Sequence, residues 1–299
     1  MAAFASLGSL LSPDVFSVIT SPIALSYGAA AEAKKMGDKL GIAYAAEAAA
    51  GGQVVAMMHT FCDGLGLKLA STVKLSSSAA DYTVFCQQLQ ESGANSYFLA
   101  FASVTSQKIT NQCFQQGTRI PQLLSDPAAV PAWKPDAGYD CGPVIDGVAP
   151  FFYTSIAGQK AYRDALSKYA PALAEAGESS STGTFAWASA QLIAVAASTI
   201  STETRRIDAE CPVRHQRRNP RRSRSAFDLH QGETSAVNCY FAWKVSGGNY
   251  VAPNGSTPTC APTDAIAPIE RAAIKAVGGS QRRQPIVYAE HSSRAIATR

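Results

Sequence analysis

No apolar run in this sequence reaches the ~18 residues that a membrane-spanning helix needs, so nothing here is read as crossing a bilayer. Charge is scarce at 16% of residues while hydrophobic residues make 46%, a balance that excludes a disordered chain and suits a packed one. The motifs that carry catalysis are missing. There is no GxSxG, no Walker A loop and no HExxH, and Gly64-Leu65-Gly66 stops short of a dinucleotide fingerprint. The four histidines, His59, His215, His230 and His291, are scattered. No CxxC is present and no Cys/His set has zinc-finger spacing; His59-x-x-Cys62 lacks a second pair. Neither an enzyme, a metal site nor a cofactor is expected.

The opening stretch Met1–Gly8 is apolar without the basic residues of a signal peptide, and Pro13-Asp14 breaks it early. The net charge of +4 is local in origin. Eight arginines between Arg205 and Arg224 stand against Asp208 and Glu210, a local +6, which leaves −2 for the remainder. Arginine clusters neutralise phosphates, but this one has no interleaved aromatics for stacking and sits in an acidic body. It reads as a solvated charge run, and no nucleic-acid partner is expected.

What is present is alternation. Between Lys39 and Gly117 short apolar runs (41–44, 67–73, 96–101, then 121–124) are separated by helical patterns (47–62, 81–89, 106–116). Strands of four to seven residues joined by helices imply right-handed βαβ crossovers, hence an α/β fold with a doubly wound parallel sheet. Asp81 precedes the apolar set Tyr82, Phe85, Cys86, Leu89, and Gly93 and Gly117 stand where helices stop. Upstream, Val15–Ile19 reads as a strand and Ser26–Gly37 as a helix with a basic last turn. Downstream, a loop runs from Asp126 to Gly147, and Val148–Tyr153 reads as a strand placed at an edge by Pro150. Lys160–Tyr169 carries a stripe of Tyr162, Leu166 and Tyr169, and the uncharged helix Phe185–Ile200 is expected to be buried. From 204 to 231 periodicity is lost. Order returns in a β-hairpin, Val237–Val245, the turn Ser246-Gly247-Gly248-Asn249, and Tyr250–Ala252. Beyond it a helix is expected over Ile266–Val277 and nothing regular after that.

Seven cysteines are many for a cytosolic protein of this size. Cys86 and Cys113 lie mid-helix in successive crossovers that cover the same face, as a bridge or as two buried thiols; a bridge needs Cα atoms about 4.4–6.8 Å apart. Cys239 and Cys260 flank the hairpin and are placed to staple it.

Taken together, Tyr27–Gly37, the pattern Tyr82-x3-Cys86 with Phe98-Leu99, Cys113-x2-Gln116-Gly117, Leu124-Ser125-Asp126, Gly147–Tyr153 and the ending Val237–Cys260 resemble the Leu/Ile/Val-binding family of ABC-transporter substrate-binding proteins, across roughly 200 residues. The resemblance implies a type I periplasmic-binding fold of two α/β lobes, with a small polar or amino-acid-like solute held between them and an ABC permease as partner. It implies an extracytoplasmic setting and no membrane insertion. Only the second lobe is expected in this chain: 1–21 as a remnant of the first lobe or hinge, 22–183 as the ligand-binding lobe, 184–203 as the helix returning to the other lobe, 232–260 as the hairpin and 261–299 as a tail. The 204–231 segment departs from the family. Phe227-Asp228-Leu229-His230-Gln231 can be encoded so that the next frame reads Leu-Thr-Phe-Thr-Lys, a segment of the family's kind, which suggests a frameshifted interval. Ligands of parallel sheets sit at the carboxyl ends of strands, here 44–51, 101–104 and 125–127. Asp126 occupies the place where relatives put an acidic residue near a ligand amine, the alternative being a cap for the following turn. Phe101 and Ser103 follow the third strand as ligand-binding candidates, with Phe101 as core or pocket wall. Relatives place an aromatic before the glycine that opens the first helix; Ala50 stands there. Two other classes remain as alternatives, a cytoplasmic sensor domain on the same lobe and a nucleic-acid binder through the arginine segment.

Overall fold

Ser21 opens the first helix. Its Oγ accepts from the Ala24 N–H at 3.1 Å, and Pro22 supplies a preset φ at the first helical position. In the computed structural model the described residues are 18–48, 51–125, 134, 137–139, 142–147, 149, 152, 156–175, 181–198, 234–277 and 286–289. Helix α1 (Pro22–Met36) leads into β1 (Lys39–Ala45), α2 (Gly51–Gly64), β2 (Lys68–Leu75), α3 (Thr83–Glu91), β3 (Ser96–Ala100), α4 (Ser103–Gln115) and β4 (Gln122–Leu124). After a 3-10 turn at Ala137–Tyr139 come β5 (Pro143–Asp146), α5 (Ala157–Tyr169), α6 (Pro171–Glu175) and α7 (Ser181–Ser198). The chain finishes with β6 (Thr234–Val237), β7 (Cys239–Ser246), β8 (Asn249–Val251), β9 (Thr259–Cys260), α8 (Thr263–Val277) and β10 (Ile286–Ala289).

The main sheet runs β2-β1-β3-β4-β5-β7-β8, parallel through β5 and antiparallel beyond, with β9 paired to β7. Alternate strand residues feed two cores. Leu40, Ile42, Phe98, Leu123 and Ile145 pack under α1 and α2, while Ala43, Tyr97, Leu99, Leu124 and Val144 pack under α3 and α4. Both faces are covered, which is the doubly wound arrangement the alternation implied. Gly247 and Gly248, at φ of 55° and 73°, make the tight β7–β8 turn. Cys86 and Cys113 are bonded, tying α3 to α4, and Cys239 and Cys260 are bonded across β7 and β9, where they are register partners. Cys62 is a buried free thiol, pushed up to about 12 mainly by burial and then by the charge of Asp63. Cys141, Cys211 and the arginine-rich segment lie outside the described residues.

Several expectations are corrected. The strand expected at 148–153 is not seen where the chain is described: Ala149 and Phe152 are outside any strand, and the rest of that stretch is outside the described residues. A strand stands earlier, at Pro143–Asp146, and it is interior, between β4 and β7. Four residues opening on proline give too little alternation to read. The α4 helix begins three residues before the expected Ser106, because its cap is Ala102, which has no side-chain acceptor to signal the start. Asp81 accepts from the Thr83 N–H at 3.1 Å, one residue ahead of the assigned cap Tyr82. Tyr169 is exposed and does not join the Tyr162 stripe. In helix α7 Thr184, Phe185 and Ser189 are buried, whereas Ile193 and Val195 are 63% and 62% exposed. Lack of charge tells of an apolar environment but not of what supplies it; Phe185 packs with Ile19, and Trp187 lies against Tyr162 of α5. The tail holds a strand after all: β10 pairs in parallel with β6 to make a separate two-stranded sheet.

Three passages of the chain meet at one buried node. Thr20 N–H donates to the Gly147 carbonyl at 3.1 Å, Ser21 N–H to the Val237 carbonyl at 2.8 Å, and Thr20 Oγ1 to the carbonyls of Gly147 and Cys239. A Cβ on Gly147 would lie 2.7 Å from Ile19 Cγ1, so only glycine fits this crossing.

Helix α8 lies against α1 and α2 with Ile266 fully buried and Glu270 2% exposed. Desolvation raises the Glu270 carboxyl from 4.5 to about 7, against a smaller opposing effect of Arg271. A carboxyl whose pKa is raised on folding binds its proton more tightly in the folded state. Its contribution is therefore fully present below pH 4.5 and is lost as pH rises to 7. Glu270→Gln is expected to remove that slope and to stabilise the chain above pH 7 by at most about 3 kcal/mol. Urea denaturation at pH 5 and pH 8 checks it; an equal effect at both would show that Glu270 does not titrate in this window.

Candidate functional site

Strand order places the site. From β1 the chain crosses by α2 to β2 on one side, and from β2 it returns by α3 to β3 on the other side of β1. The helices that leave the carboxyl ends of β1 and β3 cover opposite faces, α2 one core and α4 the other. The connections diverge there, beside Tyr44 and its register partner Ala100, which is the place where sheets of this kind open a ligand crevice. The amino ends of α2 and α4 open at this edge, and the positive ends of their dipoles favour an anionic group there.

Each wall has a local cause. On the β1 side, Gly51 opens α2 with its N–H on the Ala48 carbonyl at 2.9 Å, and the half-buried Tyr44 ring lies so near that a Cβ on Gly51 would come 2.8 Å from it. Ala50 is outside the described residues. Glu47 is fully exposed yet tied down. Its carboxylate accepts from the Ser76 and Ser77 hydroxyls and from the Ser77 N–H, and those bonds, Ser76's first, hold it at about 2. Helix α4 grips the same serine loop: Gln112 Oε1 accepts from the Tyr82 N–H at 2.7 Å and Lys108 Nζ donates to the Ala79 carbonyl at 2.6 Å. The Tyr82 hydroxyl donates to the Ser76 carbonyl at 3.0 Å. The rim is thereby cross-braced from β1 to α4.

On the β3 side, Phe101 is half-buried and packs on the core under α3 and α4, so it is core and wall together. Ser103 is the first residue of α4, half-buried, and Val104 beside it is 81% exposed. Ser125 follows β4, whose Leu124 is the register partner of Leu99, and so comes to the same edge. The structure thus brings Phe101, Ser103 and Ser125 together; Asp126 lies outside the described residues. Tyr44 and Glu47 lie in the 44–51 strand end expected at the ligand edge, but neither side chain was given a role from sequence. The only signal for the brace was a glutamate after one strand and a Ser76-Ser77-Ser78 run after the next. No group of three metal-ligating side chains occurs among the described residues, and His59 is exposed on α2.

A family model described as periplasmic binding protein matches residues 3–209. The chain belongs to that family. The match stops inside the arginine-rich segment. Solved structures with the same fold are type I periplasmic binding proteins of ABC transporters. One is a branched-chain amino acid ABC transporter protein from Thermus thermophilus with bound valine: TM-score 0.60, 14% identity, covering 89% of this chain and 70% of that one. Two are R. palustris solute-binding proteins. The complex with benzoate has TM-score 0.58 and 12% identity over 84% of this chain and 68% of that one. The complex with 4-hydroxybenzoate has TM-score 0.55 and 18% identity over 64% and 52%. The chain spans about half the length of that last relative. No curated protein matches the sequence. No described helix of this periplasmic binding protein is long and apolar enough to cross a membrane.

Proposed function

We propose that the chain is the solute-binding component of an ABC importer, catching a small carboxylate-bearing solute at the carboxyl edge of this lobe and releasing it, unchanged, to the permease. The observation that carries the reading is the strand order, which sends the connections after β1 and β3 to opposite faces and brings the amino ends of α2 and α4 to the carboxyl edge between them. Valine, benzoate and 4-hydroxybenzoate, bound in the related structures, share a carboxylate, and this edge offers what a carboxylate needs. In this reading Phe101 forms an apolar wall, Ser103 donates from its hydroxyl and backbone, and the cross-braced Glu47 loop fixes the rim without touching the solute. Family membership and the absence of the common catalytic motifs support binding without catalysis, in the periplasmic setting of the relatives.

Asp126 decides between amino acids and aromatic acids. Following Ser125 at the end of β4, it is assigned here to a ligand ammonium. In a two-lobe form of the protein, Asp126→Asn is expected to weaken valine by about tenfold to a hundredfold, one charge-assisted hydrogen bond, and to leave benzoate unaffected. Calorimetry with both ligands tests this; an unchanged valine affinity would remove Asp126 from the site.

A further inference from the structure

We infer that the chain carries a second, separate site for a short-chain carboxylate, at the amino-terminal edge of the sheet where the seam between α1 and β7 opens. Matching repeats set this seam. Four helical residues advance about 6 Å and two strand residues about 6.8 Å, so α1 and β7, running the same way, stay in step. Gly28 meets Tyr240, so closely that a Cβ would lie 2.9 Å from the ring. Glu32 then comes level with Ala242, and Lys35 follows on the side of Lys244, the four lining one pocket. Ala242 offers only a methyl group, and the seam gapes there into a pocket of about 350 Å³ walled by Pro143, Ala242 and Pro253. Pro143, the register partner of Lys244, is the first residue of β5, so the pocket is at the far end of the sheet from the crevice.

The charges around it do not balance. Glu32, with its side chain 10% exposed, pairs with Lys35 at 2.6 Å. Burial and then the Glu32 charge push the Tyr240 hydroxyl up, which puts the carboxylate on the inner side of the seam. Lys244, exposed at the mouth, has no carboxylate within ion-pair distance among the described residues, so the lining carries a net charge of +1. A ligand with one negative charge completes it, accepting from Lys244 and sharing Lys35, while the apolar walls strengthen the interaction and take a short carbon chain. The volume is at the small end for ligand sites, which limits the chain to a few carbons.

Sodium butyrate is the probe and butyramide, of the same shape without charge, the control, both at constant ionic strength with the whole chain. Calorimetry is expected to give butyrate a Kd of about 1 mM and butyramide no saturable heat. Lys244→Met, which keeps the aliphatic stem, is expected to weaken butyrate by about tenfold or more, and Lys244→Arg to restore most of it. Acetylation of lysines followed by mass spectrometry should show Lys244 protected by butyrate and Lys168, on α5, unprotected. Equal behaviour of butyrate and butyramide, full affinity in Lys244→Met, or equal protection of Lys168 would each overturn the site. Ser103→Ala should leave butyrate binding unchanged; a loss there would place butyrate in the crevice instead and equally overturn it.

Discussion

Titrated alone with leucine, isoleucine or valine, the 299-residue chain is expected to give no saturable binding at micromolar concentration. The function proposed above holds the solute between two walls, and among the described residues the sheet from β2 to β8 with its helices supplies one. Each charge-assisted hydrogen bond contributes about 1.5–3 kcal/mol. An affinity near a micromolar is about −8 kcal/mol, so losing two or three such bonds and half of the apolar cover moves it to the millimolar range or beyond. Supplying a second lobe should bring binding back. Calorimetry that gave a micromolar Kd for this chain by itself would show that the crevice at β1 and β3 is already a complete site.

The disulfide between α3 and α4 is expected to carry the largest single share of the lobe's stability. Cys86 and Cys113 are buried, and their bond closes a loop with a sequence separation of 27. Closing a loop of this length in the unfolded chain is worth about 3.5 kcal/mol in the chain-entropy account. Ordinary domains have about 5–15 kcal/mol in all. Cys86→Ala with Cys113→Ala should therefore lower the unfolding free energy by about 2–4 kcal/mol, read from urea denaturation under oxidising conditions. Removing Cys239 and Cys260, separated by 21 and pinning a two-residue strand, should cost less than the loop model suggests, because β9 lies at the margin of the sheet. A non-reducing digest should recover both linked peptide pairs. Quantitative recovery of all four residues as free thiols from oxidised protein would remove the stabilisation argument and the extracytoplasmic one together.

The alternation of short apolar runs with helical patterns was enough to read α1 to α5, the parallel sheet and the hairpin, because periodicity and the glycine stops at 93 and 117 are local properties. The cysteine pairs were legible in part: successive crossover helices on one face put Cys86 near Cys113 without deciding between a bridge and two thiols, and Cys239 and Cys260 flank the hairpin. Strand order was not. It depends on contacts far apart in the chain, and it alone places the crevice beside Tyr44 and Ala100. The same limit hid β5 and β10, each four residues long, whose identity as strands comes from partners rather than pattern. It also hid the burial of α7, which its own composition overstated. Glu47 is the sharpest case. Exposed and unremarkable in sequence, it becomes a brace only because β1 and β2 are paired and bring the Ser76-Ser77 loop within reach of its carboxylate. Local chemistry determined which elements this chain makes; pairing at long range decided where those elements meet, and with that where a solute is held.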